Sequence, residues 1–145
     1  MEERLRILLV DDDDDLLKLM KQALEREGYE VVETQSPLQA LELLRAKKFD
    51  IMITDIVMPE MDGLDLLNHV RKQNPLVQVI IITGYFSMQR AIRALEEGAA
   101  EYILKPFDSI GQLLQTVKTC EEKIHRWWEC VHKTAYKRNR ENKKE

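Results

Sequence analysis

The chain has 145 residues, 44% apolar and 33% charged, which suits one domain with a packed core and leaves no room for a second of full size. Five glycines, four prolines and two cysteines exclude collagen-like, low-complexity and disulfide-stapled chains. The net charge is −4, but positions 132–145 carry +4 and leave −8 on residues 1–131, a body unsuited to holding nucleic acid by bulk charge.

No apolar run reaches the ~18 residues of a membrane span, and Glu2, Glu3 and Asp11 to Asp15 stand where a basic leader would be. A cytoplasmic protein without membrane insertion is the default expectation. Cys120 and Cys130 are too far apart along a helix for an intrachain bridge, so both are expected as thiols.

Leu5 to Val10 is a short, almost wholly apolar run, read as a strand covered on both faces. A helical stripe follows at Leu16, Met20, Ala23 and Leu24, and Gly28 stops it. Tyr29 to Val32 starts a second strand, and Ser36 with Pro37 behind it reads as the N-cap of a second helix, striped at Leu38, Leu41 and Leu44. Ile51 to Ile53 is the third strand, with Leu67 and Val70 on the helix after it. Val79 to Ile82 is the fourth, before a helix striped at Met88, Ala91, Ile92 and Leu95 and closed by Gly98. Ala100 to Leu104 is the fifth strand, and a long helix starts near Ile110. Strand and helix alternate five times, which predicts an α/β domain: a five-stranded parallel sheet with helices on both faces and right-handed crossovers. The loops after the strands then gather on one edge, where ligands bind in such folds.

That edge collects chemistry. Asp11 and Asp12 follow the first strand, Asp55 the third, Thr83 the fourth and Lys105 the fifth. Crowded carboxylates repel unless a cation or proton intervenes. Two or three of them with backbone and water suit Mg²⁺ better than Ca²⁺. Asp13 and Asp15 have the simpler task of capping free amides at a helix start. A metal, a carboxylate nucleophile, a hydroxyl and an ammonium together make the equipment for forming an aspartyl phosphate.

At this point the chain strongly resembles the receiver domains of two-component response regulators, over residues 4 to about 121. The resemblance lies in Val10-Asp11-Asp12, in Asp55 with Met58-Pro59 and Asp62-Gly63 downstream, in Thr83-Gly84 and in Lys105-Pro106-Phe107. It implies a flavodoxin- or CheY-like sheet of strand order 2-1-3-4-5, with residues 1–121 as the receiver and 122–145 as a helical extension and basic tail. It also implies a sensor histidine kinase as phosphoryl donor, Asp55 as acceptor, and Mg²⁺ held by Asp11, Asp12, Asp55 and the backbone carbonyl of Val57. Thr83 and Lys105 would assist, the Lys105–Pro106 bond would be cis, and Thr83 with Tyr102 would form the switch. Ala91, Gly98-Ala99, Tyr102 and Lys105-Pro106-Phe107-Asp108 look like the NtrC-like subgroup, in which a large ATPase follows, so an output domain beyond this chain is one expectation. Val57 and Tyr85 are neither acidic nor amide-bearing; Val57 cannot orient water and Tyr85 can shield the site from it, which predicts slow self-dephosphorylation. The alternative reading is a pseudo-receiver or interaction module that binds partners without phosphotransfer.

The last helix keeps its apolar pattern past the length needed to cover a sheet, at Ile110, Val117, Ile124 and Val131 with Leu113, Cys120 and Trp127 between them. Leu114 and Trp128 broaden the stripe. A homodimer through this extension, as a short parallel coiled coil, or through the surface of helix four, strand five and helix five, is expected. The competing expectation is a helix that folds back so that both tryptophans cover their own domain. Ala135 to Glu145 is polar and mostly basic, and is expected to be frayed or disordered. His69, His125 and His132 have no second ligand in view, so zinc is not expected.

Overall fold

The structure, a computed structural model, describes residues 4–84, 86–105 and 110–143. In chain order these form β1 (Arg6–Val10), α1 (Asp14–Arg26), β2 (Glu30–Thr34), α2 (Pro37–Ala46), β3 (Ile51–Asp55), α3 (Gly63–Gln73), β4 (Gln78–Thr83), α4 (Met88–Glu96), β5 (Glu101–Leu104) and α5 (Ile110–Asn142). All neighbouring strands pair in parallel, in the order β2-β1-β3-β4-β5. The chain runs outward from β1 to β2 and then returns to β3 on the other side. The crevice at the carboxyl ends of β1 and β3 is therefore the switch point of the sheet.

The unalternating apolar strands are explained by burial on both faces. Ile7, Leu9, Ile53 and Ile82 join Leu17, Met20 and Leu24 of α1 and Leu113 and Val117 of α5. On the other face, Leu8, Val10, Met52 and Ile81 join Ala40, Leu41 and Leu44 of α2 and Leu67 and Val70 of α3. Each such side chain taken out of water contributes about 2 kcal/mol. The helix starts are capped by side chains that accept a backbone N–H three residues on: Asp13 from Leu16, Ser36 from Gln39, Asp62 from Asp65 and Ser87 from Arg90.

Several expectations need correction. β3 and β4 extend beyond their apolar runs, so Asp55 and Thr83 are the last residues of strands and not members of the loops after them. On α2, Leu38 is 51% exposed, because Pro37, Ala40, Leu41 and Leu44 already fill the face toward the sheet. The α4 stripe is mostly outside: Met88, Ile92 and Leu95 are exposed by 62%, 47% and 75%, and Ala94 makes the buried contact. Ala94 alone among the α4 side chains joins the core layer, so its larger apolar residues face away from it. Of the segment expected to be frayed or disordered, Ala135 to Asn142 is helical, since α5 continues that far.

Cys120 and Cys130 are both free thiols, one buried and one exposed. Burial pushes the Cys120 thiol up to about 11, which removes the reactive thiolate near neutrality. In dilute, mildly alkaline solution, iodoacetamide is expected to add one alkyl group, at Cys130, and to reach Cys120 only after denaturation. Peptide mass mapping checks this, and equal labelling of both positions in the native chain would contradict it.

Candidate functional site

The carboxyl ends of β1 and β3 bring together what the sequence holds 44 residues apart. Asp11 leaves β1 fully buried, Asp12 beside it is exposed, and Asp55 ends β3 with 7% of its surface accessible. One carboxylate oxygen from each lies within 4.8 Å of the others. From the end of β5, Lys105 donates from Nζ to Asp11 Oδ2 at 2.8 Å and to Asp55 Oδ2 at 2.9 Å. Its backbone amide is held by Thr83, whose carbonyl accepts it at 2.7 Å. The register that pairs Thr83 with Leu104 thus aims the lysine at the cluster.

The remaining carboxylate oxygens are fixed by backbone. Asp11 Oδ1 accepts from the Asp13 amide at 2.9 Å, and Asp55 Oδ1 accepts from the Ile56 amide at 2.7 Å. Burial pushes the Asp11 carboxyl above the usual carboxylate range, more than the Lys105 ammonium and the Asp13 amide pull it down. For Lys105 burial works against the charge, but the two carboxylates outweigh it and hold the ammonium above its ordinary value. An anionic corner held together by one ammonium retains a surplus of negative charge, and its donor set is the hard oxygen type that divalent cations select.

Thr83, fully buried, closes the end of β4 beside this corner. Tyr102 on β5 is partly buried and packs against the core layer that contains Ala94. Its hydroxyl is out of water with no hydrogen-bond partner among the described residues. Burial raises this phenol, with Arg90 lowering it and Asp55 raising it further. Val57 is 52% exposed in the loop after β3. The expectations placed on Tyr85, on the Lys105–Pro106 bond and on Phe107 and Asp108 fall outside the described residues.

Two features of the site escaped the sequence reading. The Gly63 amide donates to Ile56 O at 2.8 Å. A Cβ at Gly63 would lie 1.9 Å from the carbonyl oxygen of Asp55. Glu60 has a positive φ of 74° and accepts from Ser36 Oγ at 3.0 Å, tying the loop after β3 to the start of α2. The clue available for the first was the Asp62-Gly63 pair, where a capping acid precedes a residue without a side chain.

A family model for the response regulator receiver domain matches residues 7–118. This chain belongs to that family. Among curated proteins the receiver is similar to the transcriptional regulatory protein ZraR of Klebsiella oxytoca, 42% identical over 106 residues, covering 73% of this chain and 24% of that protein. The chain spans about a quarter of the length of the curated relatives it matches. Among solved structures it is similar to a CheY-like receiver domain protein from Methanospirillum hungatei, with a TM-score of 0.83 and 35% identity, covering 86% of this chain and 98% of that one. It is also similar to the response regulator TrrA of Thermotoga maritima in complex with Mg²⁺ and BeF, with a TM-score of 0.72 and 31% identity, covering 80% and 98%. The receiver architecture and its acidic cluster are thus those of a phosphoaccepting domain. Among the described residues, no helix is long and apolar enough to cross a membrane.

Proposed function

We propose that this receiver accepts a phosphoryl group on Asp55 from the phosphohistidine of a sensor histidine kinase, in a cytoplasmic, Mg²⁺-dependent reaction. The observation that carries the reading is the Lys105 ammonium shared between Asp11 and Asp55 inside a three-carboxylate cluster. A carboxylate oxygen of Asp55 forms the new O–P bond as the P–N bond of the donor breaks, and the imidazole leaves with the electron pair. Asp11, Asp12, Asp55 and the Val57 carbonyl would hold the Mg²⁺, which when bound neutralises charge on the transferring oxygens. Lys105 supplies a fixed positive charge to the same oxygens, and Thr83 a hydroxyl to another. The Ile56 amide keeps one Asp55 oxygen oriented so that the carboxylate does not rotate away.

Phosphorylation replaces one negative charge on Asp55 with nearly two and adds acceptor oxygens. Thr83 and Lys105 are then drawn toward the phosphoryl group. Tyr102, whose hydroxyl has no partner among the described residues, turns into the space that Thr83 leaves. The readout surface is the one formed by α4, β5 and the start of α5, where Met88, Ile92 and Leu104 are exposed. We place the receiver at residues 1–121, with the later part of α5 as a connection toward an output domain.

The test is intact-mass measurement after incubation with acetyl phosphate and Mg²⁺, comparing the parent with Asp55→Asn. The parent is expected to gain one phosphoryl group that is lost on treatment with hydroxylamine, as an acyl phosphate is, and the variant none. Labelling of neither would leave a binding module without phosphotransfer, and equal labelling of both would put the acceptor elsewhere than Asp55.

A further inference from the structure

The amino ends of the strands lie opposite the carboxylate cluster, and α5 runs past them. Its residues Leu113, Val117, Cys120 and Ile124 are buried, whereas the next apolar ones, Trp127, Trp128 and Val131, are exposed by 64%, 42% and 49%. Between this part of α5 and the segments that follow α3 and α4 runs a cleft of about 740 Å³, whose lining includes Leu76, Leu95, Trp127 and Val131. Leu76 and Leu95 are exposed by 73% and 75%. Single exposed apolar side chains are ordinary on a protein surface. Four that share one concavity of this volume have the character of a ligand site.

A second cleft, of about 450 Å³, adjoins the first, and Arg4, Arg6, Lys48, His125 and His132 are among the residues that line it. Lys48, Asp50, Ile124 and Trp128 belong to both linings. The two clefts therefore meet and make one groove, with an apolar arm and a basic arm. Lys48 stands at the junction, its Nζ 5.2 Å from the centre of the Trp128 ring, a contact that fixes a positive charge beside an aromatic wall.

The charge of this groove runs against that of the domain. Residues 1–131 carry −8, yet Arg4, Lys48, Arg71 and Lys123 all line the groove. Among the described residues none of the four makes an ion pair. Asp50 is the acid among the lining residues, and its Oδ2 already accepts from the Arg6 amide at 2.9 Å. Glu30, 3.4 Å from Arg6, and Glu121, 3.5 Å from His125, offset those two side chains and not the other four. The carboxyl ends of α3 and α4 add about half a negative charge each, and Arg71 donates to Pro75 O at 2.6 Å just beyond the first of them. A positive surplus therefore remains beside an apolar arm. Its complement is a molecule with an acid group at one end and hydrocarbon at the other. A flat lipid surface fits less well, because the apolar arm is recessed between α5 and the segments after α3 and α4.

We infer that this groove binds a single-chain amphiphilic anion from solution, its phosphate or carboxylate held by Arg4 and Lys48 and its hydrocarbon chain lying along Leu76, Leu95 and Trp127. Such a ligand would join the far part of α5 to the segments after α3 and α4, away from the phosphoacceptor. Trp127 and Trp128 are the two tryptophans of the chain, so their emission reports on the groove directly. Titration of the full chain with dodecyl phosphate, kept below its micelle concentration, is expected to give a saturable change in that emission with one ligand bound per chain. Octyl phosphate, with less chain to bury, binds at least tenfold more weakly, and so does the cation dodecyltrimethylammonium. Arg4→Gln combined with Lys48→Gln, and separately Leu76→Ser, each weaken dodecyl phosphate at least tenfold. All three positions are exposed, so the thermal midpoint stays in place, and Leu95→Ser replaces Leu76→Ser if the latter does not fold. No saturable change, equal affinity for the cationic amphiphile, unaltered binding by the variants, or a response to anionic phospholipid vesicles without one to the monomeric amphiphile would overturn the inference.

Discussion

Lys105→Met is expected to slow phosphorylation of Asp55 by acetyl phosphate roughly 10²- to 10³-fold, the usual cost of removing one preorganised charge from a transition state. The same substitution is expected to tighten Mg²⁺ binding. The parent's ammonium sits 2.8 Å from Asp11 and 2.9 Å from Asp55, and so competes with a divalent cation for the same carboxylates. Stability separates the two roles. Without metal, the variant leaves Asp11 buried and unpaired, which costs about 3–5 kcal/mol when it is charged. Asp11 already has a raised pKa because of burial, and removing the lysine raises it further. A carboxyl whose folded pKa exceeds its unfolded value is at no disadvantage while protonated, and loses stability as pH rises through the unfolded pKa toward the folded one. The deficit relative to the parent should therefore be small below about pH 4 and grow toward neutrality. Mg²⁺ should restore more stability to the variant than it adds to the parent. Denaturant titrations at several pH values, with calorimetric Mg²⁺ titration and stopped transfer assays, measure all three. A transfer rate within threefold of the parent would remove Lys105 from the chemistry.

Gly63→Ala is expected to destabilise the domain by about 3 kcal/mol or more. The added Cβ would lie 1.9 Å from the Asp55 carbonyl oxygen, 2.8 Å from its carbon and 2.9 Å from Ile56 Cα. All three are backbone atoms of the strand end that carries the acceptor, so no flexible side chain can give way. Either the loop after β3 retreats, breaking the bond from the Gly63 amide to Ile56, or Asp55 shifts relative to Asp11. Both lower the affinity for Mg²⁺ along with the stability. Gly28→Ala is the control: its φ is +95° but a Cβ there meets nothing within 4 Å, so only the left-handed backbone is penalised, at about 1–2 kcal/mol. Urea midpoints of the two variants should differ accordingly, and equal midpoints would refute the close-approach account.

The alternation of strands with helices, and the four strand ends that carry Asp11, Asp55, Thr83 and Lys105, were legible in the sequence because fully buried parallel strands are continuous apolar runs that stop where polar chemistry begins. The caps at Asp13 and Ser36 were legible for a similar reason, since their hydrogen bonds span three residues. What the sequence could not decide involves neighbours distant along the chain. Leu38 and the Met88, Ile92 and Leu95 stripe look like core by period alone. Their exposure follows from which residues of each helix the fold turns into the core, Ala40 and Ala94 among them. The closeness of Gly63 to Asp55 depends on how the loop after β3 folds over the strand end, and the Asp62-Gly63 pair marks only the capped turn, not what that turn approaches. The continuation of α5 past the domain was visible as a repeat, but only packing determined that its first half covers the sheet while the second stands in solvent. A helical period records which residues share a face, and the tertiary fold decides what that face meets.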